Sequence, residues 1–386
     1  MKNIMVLNLG STSFKFKLFE MDGHEKLLAQ GSIDAIGSGT SALVVKIGED
    51  KTQKTVDCPN HDQAFRLCMN ELKSILPDLK ALSAIGYKAV LAGEISGAQP
   101  VTPELLQKME ALVPLAPAHN PVYIDVMGSM LKSVPEVQQF ACFETAFHAT
   151  VPEKRAVYGV PQKWREWGIR RYGFHGASHS FIASETARLL PDARRVISVH
   201  LGGSCSICAI QDGRSVATSM GATPQSGLFH NNRVGDFDPF CFPLLEEKLG
   251  GTKQILQALS KESGLLGLSG VSNDLRKVEK AAEEGNAQAA LAIDAFCDNI
   301  TGYIGMFAAY MGGLDAIVFT GGIGEHSALV RRKAVESLGF LDIAISEAAN
   351  QTNAPQISLP QSKVRVLVME TNEEIMIARQ IAECLQ

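Results

Sequence analysis

The sequence predicts an α/β protein built from two related domains. The first observation is length, because 386 residues exceed what one hydrophobic core usually serves. The second is a pattern of apolar strand, glycine turn and second strand, which occurs at residues 7–23 and again at 196–213. The third is composition: 46% hydrophobic and 20% charged residues are typical of a globular chain.

The two copies of the pattern indicate a duplication. Both end in a hairpin turn signal, Asp22-Gly23 and Asp212-Gly213, and their glycine turns align when Gly10 is laid on Gly202. One supersecondary unit used twice predicts two α/β domains that face each other. We expect domains at 1–148, completed by a C-terminal helix at 372–386, and at 149–371.

Charge and segment composition argue against several classes of function. A net charge of -5 does not favour a nucleic-acid partner, which needs a basic face. The longest apolar stretch, 289–313, contains Asp294 and Asp298 and is better explained as a buried helix than as a membrane span. We see no targeting segment, six of the eight cysteines are scattered, and the Cys205–Cys208 pair is explained as packing, so we expect a reduced, cytoplasmic chain without a membrane partner.

Three glycine turns are candidates for binding phosphate. The first strand stops at Gly10 and is followed by "STS", which suits either a plain hairpin or a phosphate cradle. The second lies at 202–203, and the third follows the apolar run "LDAIVFT" in "GGIGEHSALVRRKAVESL", where we expect a glycine loop that opens into a helix. Each turn alone is weak, but three of them, two in matching halves, favour a phosphate site between the domains.

Two further segments carry residues suited to chemistry. Glycines flank Phe174-His175 in "RYGFHGASH", which indicates a presented imidazole or a core histidine on a turn. Arg233 lies among amides in "GLFHNNRVGDFDP", where it is either solvated or placed to bind an anion bidentately.

Carboxylates near the strand ends complete the candidates. Glu144 and His148 in "FETAFH" have a spacing that a metal could use, but no third ligand accompanies them. In "METNEEIMIAR" we predict a capping box of Thr371 and Glu374, which leaves Glu373 to face a crevice where carboxylates commonly hold Mg²⁺.

Five long motifs stand out: "RYGFHGASH", "TSMGATPQSGL…RVGDFDP", "GLLGLSGVSNDLRKVE", "YMGGLDAIVFTGGIGE" and "TNEEIMIAR". Together they resemble the acetate kinases, the acetokinase branch of the sugar kinase, Hsp70 and actin superfamily. The resemblance implies a duplicated ribonuclease-H-like fold of mixed sheets flanked by helices, with the active site in the interdomain cleft. It also implies a homodimer and reversible, Mg²⁺-dependent transfer from ATP to acetate, giving acetyl phosphate and ADP.

The resemblance also implies roles for individual residues. Catalysis falls to His175, Arg233 and Glu144, metal binding to Asn8 and Glu373, and the acid pocket to Lys88, Val90, Ala118, Phe174 and Pro224. The remaining positions would bind ATP or ADP: Ser11, Ser13, Lys15, His200, Leu201, Gly202, Gly203, Ser204, Asp274, Leu275, Arg276, Gly322, Ile323, Gly324, Glu325 and His326.

Several of these positions depart from the family pattern. Lys88 stands where the family has arginine, Glu144 where it has aspartate, Ala118 where it has leucine and Gly203 where it has asparagine. The smaller Ala118 favours a longer acyl chain, so a kinase for propionate, butyrate or another short-chain acid is the alternative. A less favoured alternative is an interaction protein that binds nucleotide but has only weak catalytic activity. Retention of "GGIGE" favours ATP over pyrophosphate, with Mn²⁺ as an alternative to Mg²⁺.

Overall fold

The computed structural model describes residues 2–117 and 119–385, so the predicted pocket residue Ala118 lies outside the described residues. The chain divides into two compact units. The first comprises Met1–Ala146 together with Asn372–Gln386, and the second comprises Phe147–Thr371. The division therefore falls two residues before the boundary expected at 148.

The first unit is built on an eight-stranded mixed sheet, in the order β5-β4-β3-β2-β1-β6-β8-β7. Its strands are β1 (Asn3–Gly10), β2 (Ser13–Met21), β3 (Glu25–Asp34), β4 (Ser41–Ile47), β5 (Asp50–Val56), β6 (Ala84–Ala89), β7 (Ala98–Pro100) and β8 (Gln138–Phe143). Its helices are α1 (His61–Glu71), α2 (Pro103–Ala111), α3 (Asn120–Ser133) and the last helix of the chain, α15 (Glu373–Cys384).

Strand β1 lies at the centre of this sheet because it is apolar on both faces. Residues 4–7 are all fully buried, as expected for a strand that pairs in parallel with β6 and is covered on either side. Helix α15 packs on β1 and β6, and Gly86 makes room for it, since a Cβ there would overlap with Ile381. The end of the chain thereby completes the unit formed by its beginning.

The second unit has a five-stranded sheet in the order β11-β10-β9-β12-β13. Its strands are β9 (Arg195–Leu201), β10 (Cys205–Gln211), β11 (Arg214–Thr218), β12 (Ala316–Thr320) and β13 (Arg365–Val368). Its helices are α4 (Glu153–Ala156), α5 (Lys163–Glu166), α6 (Gly176–Leu189), α7 (Phe242–Leu249), α8 (Thr252–Lys261), α9 (Gly264–Ser269), α10 (Leu275–Glu283), α11 (Ala287–Met311), α12 (Gly321–His326), α13 (Ala328–Glu336) and α14 (Glu347–Gln351).

The duplication is confirmed by the topology. The order β3-β2-β1-β6-β8 in the first sheet corresponds to β11-β10-β9-β12-β13 in the second. In both sheets an antiparallel hairpin precedes two parallel pairings. The Asp212-Gly213 turn has positive φ at both residues, 51° and 75°, which matches the tight hairpin turn that the sequence predicts.

The long apolar segment forms the buried helix α11, whose inner face lies in the core of the second unit. Asn286 caps its start and Gly312, with φ 67°, ends it. Among the described residues, no helix is both long and apolar enough to cross a membrane.

Two local predictions are wrong. Helix α15 is capped by Asn372, which accepts a hydrogen bond from the Ile375 amide, so the helix starts one residue later than a Thr371 cap requires. Glu374 therefore falls in the wrong position for a capping box and its carboxylate binds Lys17 at 2.9 Å. The segment "GGIGEH" is not a loop but the short helix α12.

Candidate functional site

The turn after β1 is held closely by its own residues. Gly10 pairs with Ser13, and a Cβ on Gly10 would lie 2.5 Å from the Ser13 Oγ, so a larger residue would require the Ser13 side chain to move. The Gly10 carbonyl accepts a hydrogen bond from His61 Nε2 at 2.9 Å. Ser11 is exposed and Ser13 is half-buried. The predicted hydroxyl-bearing turn is therefore present and anchored at its first residue.

Asn8 and Lys15 lie directly opposite each other on β1 and β2. Both line a cavity of about 390 Å³ in the first unit, together with Lys17. The structure thus brings a predicted metal ligand and a predicted phosphate ligand to one surface, two residues from the turn on either strand.

Lys88 and Glu373 form a partly buried ion pair. The Lys88 ammonium lies on the Glu373 carboxylate, and the two side chains are only 18% and 13% exposed. Burial acts to lower the pKa of Lys88, but the charges of Glu144 and Glu373 overcome it and raise the pKa overall. The predicted acid-binding lysine is therefore held by the predicted metal-binding glutamate.

The residues around the Lys88–Glu373 pair are buried as well. Glu144 is 6% exposed, and its backbone amide donates to the Ala89 carbonyl at 2.9 Å. Tyr123 accepts a hydrogen bond from the Leu9 amide, and burial raises its pKa to about 12. Val90, predicted for the acid pocket, is also buried. Lys88 consequently stays charged and supplies the counter-charge for two acidic groups.

The two predicted metal ligands of the first unit suit a divalent metal. Asn8 and Glu373 offer amide and carboxylate oxygens, which Mg²⁺ prefers, and a cation at Glu373 would share that carboxylate with Lys88. Among residues 2–117 and 119–385, no group of three or more His, Cys, Asp or Glu side chains is placed to hold a metal.

In the second unit, His175 is held in an uncommon conformation at the start of α6. Its φ is 57°, and Gly173 just before it has φ 76°. The His175 Nδ1 lies 2.9 Å from the Ser206 hydroxyl, and its ring stacks on His200 with centroids 4.3 Å apart. A strained backbone that persists only with support from its surroundings is common at functional sites.

Two more histidines lie beneath His175 and are fully enclosed. His148 contacts the Ser215 hydroxyl and the Phe174 carbonyl, each at 2.9 Å. Burial lowers the pKa of His148 to about 4 and that of His179 well below its usual range. Both are neutral at physiological pH. Phe174, predicted for the acid pocket, is buried beside them.

Arg233 carries a charge that no carboxylate neutralises within the part of the chain that the structure describes. Its Nη1 donates to the Ser204 hydroxyl and to the carbonyl of the buried Pro224, each at 3.2 Å. Burial lowers the pKa of the guanidinium, but an arginine side chain stays protonated in proteins. Such a group is placed to bind an anion.

A cavity of about 570 Å³ in the second unit is lined by eight of the sixteen predicted nucleotide residues. Its predicted lining residues are Gly202, Gly203, Asp274, Leu275, Arg276, Gly322, Ile323 and His326. It is also lined by four residues that the sequence analysis missed, Asn231, Asn273, Glu279 and Ser327. Two of these directly precede or follow predicted positions, so adjacency was the available signal.

Of the thirteen nucleotide residues predicted in the second unit, five do not line this cavity: His200, Leu201, Ser204, Gly324 and Glu325. The Leu201 side chain is fully buried in the core, and Glu325 accepts a hydrogen bond from the Gly321 amide at 2.8 Å, inside α12.

Comparison with known proteins identifies the relatives of this chain. The model of the acetokinase family matches residues 3–379. The chain belongs to the acetokinase family. It is 42% identical to the acetate kinase of Macrococcus caseolyticus, with 98% of each chain covered. It is 44% identical to the propionate kinase of Citrobacter rodentium, with 98% of this chain and 96% of the relative covered.

A solved structure supports the fold of this acetokinase-family chain. The crystal structure of Porphyromonas gingivalis acetate kinase matches with a TM-score of 0.90 and 36% identity over 100% of both chains. The fold is therefore the duplicated two-domain sugar kinase and actin type that the sequence predicts. As a family member, the protein is a phosphotransferase with a short-chain carboxylate acceptor, which uses ATP or ADP and a divalent metal.

Proposed function

We propose that this acetokinase-family protein transfers the terminal phosphoryl group of ATP directly and reversibly to acetate, giving acetyl phosphate and ADP. The observation that carries the proposal is Arg233, a largely buried guanidinium that two neutral oxygens hold in place. Its charge remains for an anion, which in this reaction is the transferring phosphoryl group or the acid.

The chemistry asks little more than placement and neutralisation of charge. A carboxylate oxygen is already a nucleophile, so no strong general base is required. The protein must hold two anions in line and stabilise the charge on the moving group. Arg233 and His175 suit that role in the second unit, and in the first unit Glu144 acts through the charge of Lys88.

We propose Mg²⁺ as the divalent metal, with Asn8 and Glu373 as its protein ligands and Mn²⁺ as an alternative. When bound, the metal supplies positive charge to the phosphate oxygens. We assign the binding of the phosphate groups to Ser11, Ser13 and Lys15. The residues around the 570 Å³ cavity hold the nucleotide. We also propose that the protein is a cytoplasmic homodimer, as the family resemblance implies.

Propionate is the second candidate acid. One relative at 44% identity is named a propionate kinase. In addition, the Lys88 ammonium is bound to Glu373 and lacks the bidentate fork of the family arginine. Looser control of the carboxylate would discriminate less between acids that differ by one methylene, a difference worth about 1–3 kcal/mol in an apolar pocket.

The test is a hydroxylamine-trapping assay for acyl phosphate. Acids of two, three and four carbons are each supplied with Mg²⁺ and either ATP or pyrophosphate, and Arg233→Ala is the inactive control. We expect product from acetate with ATP. A strong preference for propionate or butyrate would replace acetate as the substrate, and no product from any combination would refute a kinase function.

A further inference from the structure

A chain of hydrogen bonds runs from His175 into the interior of the second unit. His175 Nδ1 lies 2.9 Å from the Ser206 Oγ, and the same oxygen lies 2.7 Å from His179 Nε2. His179 Nδ1 then lies 2.8 Å from the Ser198 Oγ. Ser206, His179 and Ser198 have no exposed surface.

Three elements place these groups together. Ser198 lies on β9, Ser206 lies on the neighbouring β10 directly opposite His200, and His179 lies on the first turn of α6. The polar side chains alternate with core residues such as Val199 and Ile207 along the strands. The chain is therefore part of the sheet face that α6 covers.

The hydrogen bonds of this network have only two possible donor-to-acceptor directions. A serine hydroxyl has one hydrogen to donate, and a neutral imidazole has one N–H. His179 is neutral because it is fully buried beside His148 and His200. If His179 donates from Nε2 to Ser206, then Ser206 donates to His175 Nδ1. In the reverse direction, His175 Nδ1 donates to Ser206 and Ser206 donates to His179.

Ser198 decides between the two directions. In the first, its hydroxyl donates to His179 Nδ1, and every hydroxyl hydrogen of the chain is used. In the second, Ser198 accepts from His179, and its own hydrogen has no acceptor among the described residues, where His179 is its one hydrogen-bond partner. A buried unsatisfied donor costs about 1–3 kcal/mol. The first direction is therefore the stable one.

We propose that Ser206, His179 and Ser198 are positioning residues, which hold the neutral form of His175 in the tautomer with its proton on Nε2. The imidazole then donates an N–H, rather than a lone pair, to the transferring phosphoryl group; this last step rests on the proposed function. A lone pair facing phosphate oxygens would repel them, whereas a fixed donor stabilises the charge that develops in transfer.

The same hydrogen-bond argument applies to the neighbouring ring of His200. Ser178 is fully buried, and its hydroxyl lies 2.8 Å from His200 Nδ1, its one hydrogen-bond partner among the described residues. The hydroxyl therefore donates to Nδ1, which leaves the His200 proton on Nε2. Two stacked imidazoles thus carry their protons on the same ring atom.

The test is the tautomer itself, measured by proton–nitrogen correlation spectra of protein with ¹⁵N-labelled histidine, the His175 signals being assigned with His175→Asn. We expect a protonated Nε2 and an unprotonated Nδ1 in the unmodified protein. Ser206→Ala should give a mixture of tautomers, and Ser206→Thr, which keeps the hydroxyl, should restore the single form. Ser219→Ala removes a buried hydroxyl that binds the adjacent Ile207 amide and should leave the His175 signals unchanged.

Turnover provides the second readout. Ser206→Ala should lower kcat by about 10- to 10²-fold, less than the about 10²- to 10³-fold typical for removal of a donor itself. A protonated Nδ1 in the unmodified protein, or a single unchanged tautomer in Ser206→Ala, would overturn the proposal. The spectra require no turnover, so a protein that phosphorylates no acid refutes the proposed function and leaves the tautomer result intact.

Discussion

The ammonium of Lys88 lies on the carboxylate of Glu373, and the pair joins β6 to the first residue of the last helix. The two residues are 285 positions apart in the chain. Because both side chains are largely buried, the Lys88 ammonium supplies counter-charge to Glu373, as it does to Glu144. The pair therefore ties the closing helix to the centre of the first sheet.

Replacing Lys88 by Met should destabilise the protein by about 3 kcal/mol, because two buried acidic groups lose their cation. Lys88→Arg keeps the charge and should stay near the original stability. The measurement is the midpoint of urea unfolding followed by circular dichroism. Lys54→Gln, which breaks the more exposed pair with Glu71, is the matched control and should cost less than about 1 kcal/mol. Equal losses in Lys88→Met and Lys54→Gln would contradict a structural role for the Lys88 pair.

Gly203 and Gly321 should respond differently to substitution. A Cβ on Gly203 meets nothing within 4 Å, whereas one on Gly321 would lie 2.7 Å from the Leu201 carbonyl, at φ 75°. Gly203→Asn, which restores the family amide beside the nucleotide cavity, should fold normally and tighten ADP binding by about 2- to 10-fold, the value of one added hydrogen bond. Gly321→Ala should lower the melting temperature. Calorimetric titration measures the Kd for ADP, and thermal unfolding measures the melting temperature. Weaker ADP binding in Gly203→Asn would show that the amide does not reach the nucleotide.

The repeated hairpin could be predicted from sequence because its signals are local. Strand, glycine turn and Asp-Gly pair all fall within about twenty residues, as short-range hairpin signals do. The start of α15 could not be predicted as surely. Thr371 and Asn372 are both good caps, and the choice between them depends on the tertiary ion pairs of Glu373 and Glu374 with Lys88 and Lys17.

The candidate site could be predicted only in part, because some of its contacts join residues that are distant in the sequence. The sequence identified the histidine motif and the nucleotide segments, since these are contiguous. It could not show that Lys88 meets Glu373, because nothing in the local pattern brings distant positions together. The polar chain under His175 did leave a signal, since Ser198 and Ser206 interrupt apolar strands at alternate positions, but their partner on α6 requires the fold.

Acid should weaken the folded state through His148. In the unfolded chain this histidine titrates near its ordinary value of 6.5, but in the folded protein burial lowers its pKa to about 4. Between these values the unfolded state binds the extra proton, so stability falls as pH falls from about 6.5 to about 4. His148→Gln removes this titration and should reduce the slope of unfolding free energy against pH by up to about 1.4 kcal/mol per pH unit. Urea unfolding at several pH values measures the slope; above pH 7 the two curves should run parallel, and identical slopes at pH 5 would mean that His148 is protonated in the folded state.

Arg233 should separate chemistry from nucleotide binding. Its guanidinium is held by Ser204 and Pro224 but does not line the nucleotide cavity. Arg233→Ala should therefore lower kcat by at least about 10²-fold, as loss of a preorganised stabilising group does, while the Kd for ADP stays within about twofold, far below the tenfold that 1.4 kcal/mol of lost binding would produce. Arg233→Lys keeps the charge without the fork and should recover only part of the rate. Near-normal turnover in Arg233→Ala would place the charge that stabilises the phosphoryl group elsewhere, and a large loss of ADP affinity would assign Arg233 to nucleotide binding.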